Sequence, residues 1–168
     1  YSVSYENGSL SETQRMSVMS LIFKKINRQL FKNYRPITLS NTDYKIAAFI
    51  LAGRMQKIIH KIISIEQSAY IKSRFIGENV RLFLDIKDHY EENNLPGIFL
   101  FLDFRKAFDS LNWSFIHMCL KKFGFHSKFI QWIQTLYNDP ITFLKINNTL
   151  SKAINVEQGI KQGCPLPA

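Results

Sequence analysis

Apolar residues along this chain follow two rhythms, and the switches between them mark out its elements. The densest stretch is Ile98 to Phe104, apolar except for Asp103 and preceded by a Pro96-Gly97 turn. Its branched and aromatic residues predict a strand buried on both faces within a sheet. Alternation over Val18 to Lys25 predicts a second strand. Tyr34 to Leu39 contains Pro36, so a strand there lies at an edge or starts after the proline. Ile141 to Ile146 and Ala153 to Val156 flank Asn147-Asn148 as a hairpin.

Helical spacing takes over elsewhere. Ser11 to Gln14 fits a capping box opening a short turn. Ser40, Asn41, Thr42 and Asp43 offer caps for a long amphipathic helix of about six turns. Its apolar face comprises Ile46, Phe49, Ile50, Met55, Ile58, Ile59, Ile62 and Ile63. Lys45, Arg54, Lys57, His60 and Lys61 make its other side basic, which a solvated face explains residue by residue. Further helices are expected over Asn79–Tyr90, over Ser110–Phe123 with Gly124 as the terminator, and over Ser127–Asn138, stopped by Asp139-Pro140. The class is α+β, with no internal repeat and no low-complexity segment.

A length of 168 residues suits one domain with a real core, and 46% hydrophobic content excludes a disordered chain. The formal net charge of +9 points to a polyanionic partner, most simply nucleic acid, although a merely basic protein would show the same balance. Cys119 and Cys164 have no metal-ligand spacing and make no disulfide framework, so an intracellular setting is the default, nucleus or cytoplasm left open. No apolar run approaches the ~20 residues of a membrane span. The first residue is Tyr1 rather than Met, as expected for a piece of a longer reading frame.

Asp103 is the first candidate for chemistry. An unpaired carboxylate on a buried strand is costly, so Asp103 calls for a cation, a metal or a helix N-terminus, or else it caps a turn. Side chains alternate along a strand, which puts it on one face with Phe99 and Phe101. A bulky aromatic follows at Phe108, and core packing would account for it equally well. Downstream lies a basic, glycine-punctuated loop, Lys161-Gln162-Gly163; upstream lies Arg35-Pro36.

These features occur in blocks: LIFKK, KNYRPITLSNTDYKI, EQSAYIKSRFIGENVRL, FLDFRKAFDSLNWSF and GIKQGCPL. In this order and spacing they resemble the reverse transcriptases of non-LTR (LINE-type) retrotransposons, from about Ser11 to Leu166. The resemblance implies a right-hand polymerase truncated before the second catalytic aspartate hairpin. Residues 11–97 would be mainly fingers, and 98–168 the start of the palm and the Gln-Gly loop. It implies RNA-directed DNA synthesis with two divalent ions, Mg²⁺ or Mn²⁺, in the intact parent. The partners would be an RNA template, a DNA primer and deoxynucleoside triphosphates, with no membrane involved.

Residue by residue, Asp103 matches the first metal-binding, catalytic aspartate, and the Phe104 backbone carbonyl its partner ligand. Phe108 matches the steric gate against a 2′-hydroxyl. Arg35 matches a triphosphate-contacting arginine, whose fork suits that role; Lys24, or equally Lys25, is a second such contact. Gln162 and Gly163 match the loop on the nascent base pair and sugar, and Lys161 stands where arginine is common. Arg74 and Asn79 belong to the template block, although a surface charge and a helix cap would explain them too. Asp109 reads as a structural cap for the helix from Ser110.

Several positions depart from the family pattern. Ala69 and Ser73 replace template-block glycines, Ile26-Asn27 replaces a turn that often has one, and Pro167-Ala168 follows GCPL. Such losses cost backbone freedom where a positive φ is needed. They suggest a decayed copy, and without the second aspartate block these residues alone are expected not to polymerise DNA. The alternative is a catalytically dead remnant that binds RNA or DNA. A haloacid-dehalogenase-type phosphatase is rejected because Arg105 stands where its second aspartate belongs.

Overall fold

The structure, a computed structural model, describes residues 1–24 and 27–166. Lys25 and the departures at Ile26, Pro167 and Ala168 lie outside the described residues. The chain divides into two compact units, Tyr1–Ala52 with Lys106–Ala168, and Gly53–Arg105.

The first unit is built on a mixed sheet. Strand β1 (Met16–Phe23) pairs antiparallel with β2 (Tyr34–Ser40) and parallel with β3 (Ile141–Ile146). Asn147 and Asn148, both at positive φ, turn the chain into β4 (Thr149–Leu150), and β5 (Ile154–Asn155) pairs further back along β3. The order β2-β1-β3-β4 leaves Pro36 on an edge strand, where a missing N–H costs no ladder bond.

Helices complete this unit. α1 (Ser2–Glu6) lies against α6 (Ser127–Tyr137) through Tyr5 and Trp132, with ring centroids 5.0 Å apart. α2 (Glu12–Arg15) starts with the expected capping box, Ser11 N–H donating to Gln14 Oε1 at 3.3 Å. α5 (Trp113–Lys122) ends at Gly124, whose φ of +78° makes it the left-handed terminator. The buried set includes Leu10, Leu120, Ile133, Leu136 and Tyr137.

The long helix is α3 (Thr42–Ile62), and its buried residues are Tyr44, Ala47, Ala48 and Leu51. Ile46, Phe49, Ile50 and Ile58 of the expected face are exposed instead. Two adjacent stripes of this helix are apolar, and spacing alone does not rank them. The alanine stripe allows closer backbone approach, and packing selected it.

The second unit holds the C-terminal part of α3 and α4 (Ile76–Glu92). Here the largest expectation fails. Residues 98–104 form no strand and are exposed, from 46% at Phe99 to 96% at Ile98. No strand occurs in this unit among the described residues, and a strand without a ladder partner has nothing to satisfy its backbone. Phe99 and Phe101 touch the Phe83 ring of α4, with centroids 4.6 and 5.7 Å apart, yet both stay exposed. Among the described residues, no helix is long and apolar enough to cross a membrane.

Candidate functional site

Two stretches distant in sequence are stitched together in the first unit. Gly159 N–H donates to the Leu111 carbonyl at 2.8 Å, and Ile160 N–H to the Phe108 carbonyl at 2.9 Å. Trp113 Nε1–H donates back to the Gly159 carbonyl at 2.8 Å. Gly159 has φ +86°, and a Cβ there would lie 2.8 Å from the Asp109 carbonyl oxygen. Only glycine tolerates both the backbone angle and the approach.

Asp109 is not the helix cap. Residues 105–110 form turns, with Asp109 and Ser110 N–H both donating to the Lys106 carbonyl at 3.0 Å. The cap of α5 is Asn112, whose Oδ1 accepts from Ser114 N–H at 2.8 Å. Lys106, at φ +52°, bends the chain and delays the helix start past Asp109. The Asp109 carboxylate instead accepts from Gln162 Nε2 at 2.9 Å.

The Gln162 carbonyl accepts from Thr38 N–H of β2 at 2.9 Å, so the loop covers part of that strand's outer edge. Gly163 has φ +98°, and a Cβ would meet the Thr38 carbonyl oxygen at 3.2 Å. The glycine thus lets the loop backbone come close to that of β2. Gln162 and Asp109 border a cleft of about 200 Å³ whose apolar wall includes Met19, Pro36, Trp113 and Tyr137. Phe108 is 37% exposed and so stands outside the buried core.

The structure does not bring every expected nucleotide contact to this cleft. Arg35 pairs with Ile22 in the ladder, and alternation puts both on the sheet face opposite Pro36 and Thr38. Lys24 continues that ladder, its N–H donating to the Asn33 carbonyl at 2.8 Å, and falls on the same face as Arg35. Both side chains are exposed.

Sequence reasoning gave Lys161 no special environment, yet it is only 8% exposed. Its Nζ stands 4.3 Å from the centroid of the Tyr44 ring and finds no hydrogen-bond partner among the described residues. Burial pushes the ammonium down to about 8. The same burial raises the phenols of Tyr44 and Tyr137 and the thiol of Cys164. Nothing in the spacing marks a lysine as buried. The tyrosine that covers it lies far away in the chain.

In the second unit Asp103 is exposed, so the burial expected to strain its charge is absent. Phe104 is 84% exposed. Among the described residues no group of three His, Cys, Asp or Glu side chains could hold a metal ion. Arg74 is committed to the end of α3. Its Nη1 donates to the Gln67 carbonyl at 2.7 Å and also to the Ser64 carbonyl, and its Nη2 to the Ile63 and His60 carbonyls at 3.0 and 3.4 Å. This satisfies carbonyls that the helix terminus leaves open. Asn79 Nδ2 donates to the Glu66 carbonyl and its Oδ1 accepts from Ser68 Oγ, both at 2.8 Å. Both template candidates thus hold their own loop together.

The 108–113 and 159–162 stretches thus meet in the first unit, and comparison with known proteins decides the family. The family model described as reverse transcriptase (RNA-dependent DNA polymerase) matches residues 22–167. The chain belongs to the reverse transcriptase family. This reverse transcriptase chain is 33% identical to the Transposon TX1 uncharacterized 149 kDa protein of Xenopus laevis, over 96% of the chain and 12% of that protein. It is 24% identical to the Retrovirus-related Pol polyprotein from type-2 retrotransposable element R2DM of Drosophila melanogaster, over 95% of the chain and 15% of that protein. A Pol polyprotein from the type-1 retrotransposable element R2 of Nasonia vitripennis is 26% identical over 79% of the chain. These relatives agree with a non-LTR, LINE-type reverse transcriptase domain. The chain spans only 12 to 15% of the length of the first two relatives.

Proposed function

We propose that this chain is the fingers and the first part of the palm of an RNA-directed DNA polymerase from a LINE-type element, and that its first unit handles the incoming nucleotide. The observation that supports this reading most directly is the stitching of residues 158–162 onto 108–113, which brings Phe108, Gln162 and Gly163 into one locality of the first unit. A bulky aromatic residue in the same locality as a fixed amide suits a sugar and base: the ring would limit what fits, and the amide would present its oxygen as an acceptor. Arg35 and Lys24, exposed on the other sheet face, suit phosphate contacts with nucleic acid. The dead nucleic-acid-binding remnant is not the favoured reading.

Divalent metal goes with the family, but the residues present do not complete a site for it. Asp103 and the Phe104 carbonyl would supply at most three oxygens, whereas a hard divalent cation takes about six. An intracellular location, nucleus or cytoplasm, belongs with these nucleic-acid partners as part of the same proposal.

The test uses the intact parent polymerase carrying these residues. Asp103→Asn is expected to abolish primer extension on an RNA template while leaving template binding near its original strength. Unchanged extension would refute the assignment of Asp103. Phe108→Val is expected to raise ribonucleotide incorporation, and unchanged sugar discrimination would remove Phe108 from the site.

A further inference from the structure

The bond between Gln162 and Asp109 dictates which end of the amide a ligand meets. An ionised carboxylate only accepts, so the amide must turn its Nε2 toward Asp109, as the 2.9 Å contact shows. That leaves Gln162 Oε1 as the end available to a ligand at the cleft. The backbone on both sides is immobilised. Gln162 is tied to Thr38, Ile160 to Phe108 and Gly159 to Leu111, so the side-chain torsions and the amide flip are the remaining freedoms.

We infer that Asp109 is a positioning residue, its carboxylate fixing the Gln162 amide so that Oε1 is presented as an acceptor to a hydroxyl or N–H donor of the bound deoxynucleotide. This rests on the nucleotide-site reading above. Asp109 touches no ligand itself and acts through Gln162. Without it the amide samples both flips and several rotamers, and part of the binding energy goes to ordering it.

The experiment is a double-mutant cycle in the intact parent polymerase carrying these residues, bound to a DNA primer on an RNA template, with dTTP as the probe and affinity read by calorimetry. Asp109→Leu is expected to weaken dTTP about 5–10-fold, the worth of one preorganised hydrogen bond. In a Gln162→Ala background the same substitution is expected to cost nothing, because its target has gone. In ¹⁵N spectra the Gln162 side-chain NH₂ signals should be protected from solvent exchange in the unchanged chain and lose that protection in Asp109→Leu. An equal loss of affinity in both backgrounds would overturn the inference, since Asp109 would then act through the fold. So would unchanged affinity in the single variant. Should Asp109→Leu fail to fold, Asp109→Asn keeps the shape but admits either amide orientation, and it must still lose affinity only when Gln162 is present. If the unchanged chain binds no dTTP, the nucleotide-site reading itself fails, and the inference falls with it.

Discussion

Replacing Lys161 with methionine should stabilise this protein. The ammonium is buried over Tyr44 with no hydrogen-bond partner among the described residues, and burial lowers it from 10.5 to about 8. That difference corresponds to ~3 kcal/mol against the charged form in the folded state. The contact with the Tyr44 ring favours the cation and returns ~1–2 kcal/mol of it. Methionine keeps the apolar stem and drops the charge, so a net gain of ~1–2 kcal/mol is expected at pH 7. The sign with pH follows from linkage. The folded-state value lies below the unfolded one, so between about 8 and 10.5 the unfolded chain binds more protons and the wild type gains stability as pH rises. The advantage of Lys161→Met is therefore full below 8 and fades toward 10.5. The Tyr44 ring and Cys164 face this amine, and Tyr137 and Lys45 reach it only through their interactions with Cys164; Tyr44, Tyr137 and Cys164 titrate in the alkaline range. Taking the difference between variant and wild type at each pH removes their common contribution. Urea unfolding followed by ellipticity at several pH values from 7 to 10 measures it. A variant less stable than wild type at pH 7, or a difference that does not shrink with pH, would refute the reasoning.

Gly159→Ala should cost at least ~1–2 kcal/mol in urea unfolding, because φ is +86° and the new Cβ would press on the Asp109 carbonyl 2.8 Å away; a neutral result would mean the 108–113 and 158–162 stretches are not docked as described. Ser73→Gly should raise the unfolding midpoint by the equivalent of ~0.5–1 kcal/mol, since Ser73 sits at φ +68°, a left-handed angle that glycine adopts without strain; loss of stability would count against that turn. Arg74→Lys should speed amide exchange over the end of α3 and the following loop nearly as much as Arg74→Ala, because one ammonium cannot serve carbonyls that a guanidinium fork reaches together. Full rescue by lysine would show that Arg74 acts as a simple charge, as a template contact would.

Local chemistry was legible where the physics is local. The Asn147-Asn148 turn, the Ser11 capping box, the Gly124 terminator and the edge placement of Pro36 each depend on a few neighbouring residues, and each stands as expected. The family was legible for another reason: its blocks preserve chemistry-bearing residues in order along nearly the whole chain. Partners distant in sequence decided the rest. Periodicity announced that α3 is amphipathic but did not choose between its isoleucine and alanine stripes, because packing depends on what lies opposite. The residues at 98–104 have strand composition, yet a strand exists only with a ladder partner, and their unit offers none among the described residues. Asp109 has the right side chain for a cap and became the anchor of Gln162 because the turn at Lys106 moved the helix start to Asn112. Lys161 looks like any surface lysine until Tyr44 closes over it. Short-range hydrogen bonding and turn geometry are written in the sequence, whereas burial, pairing and the environment of a charge are settled only when distant residues meet.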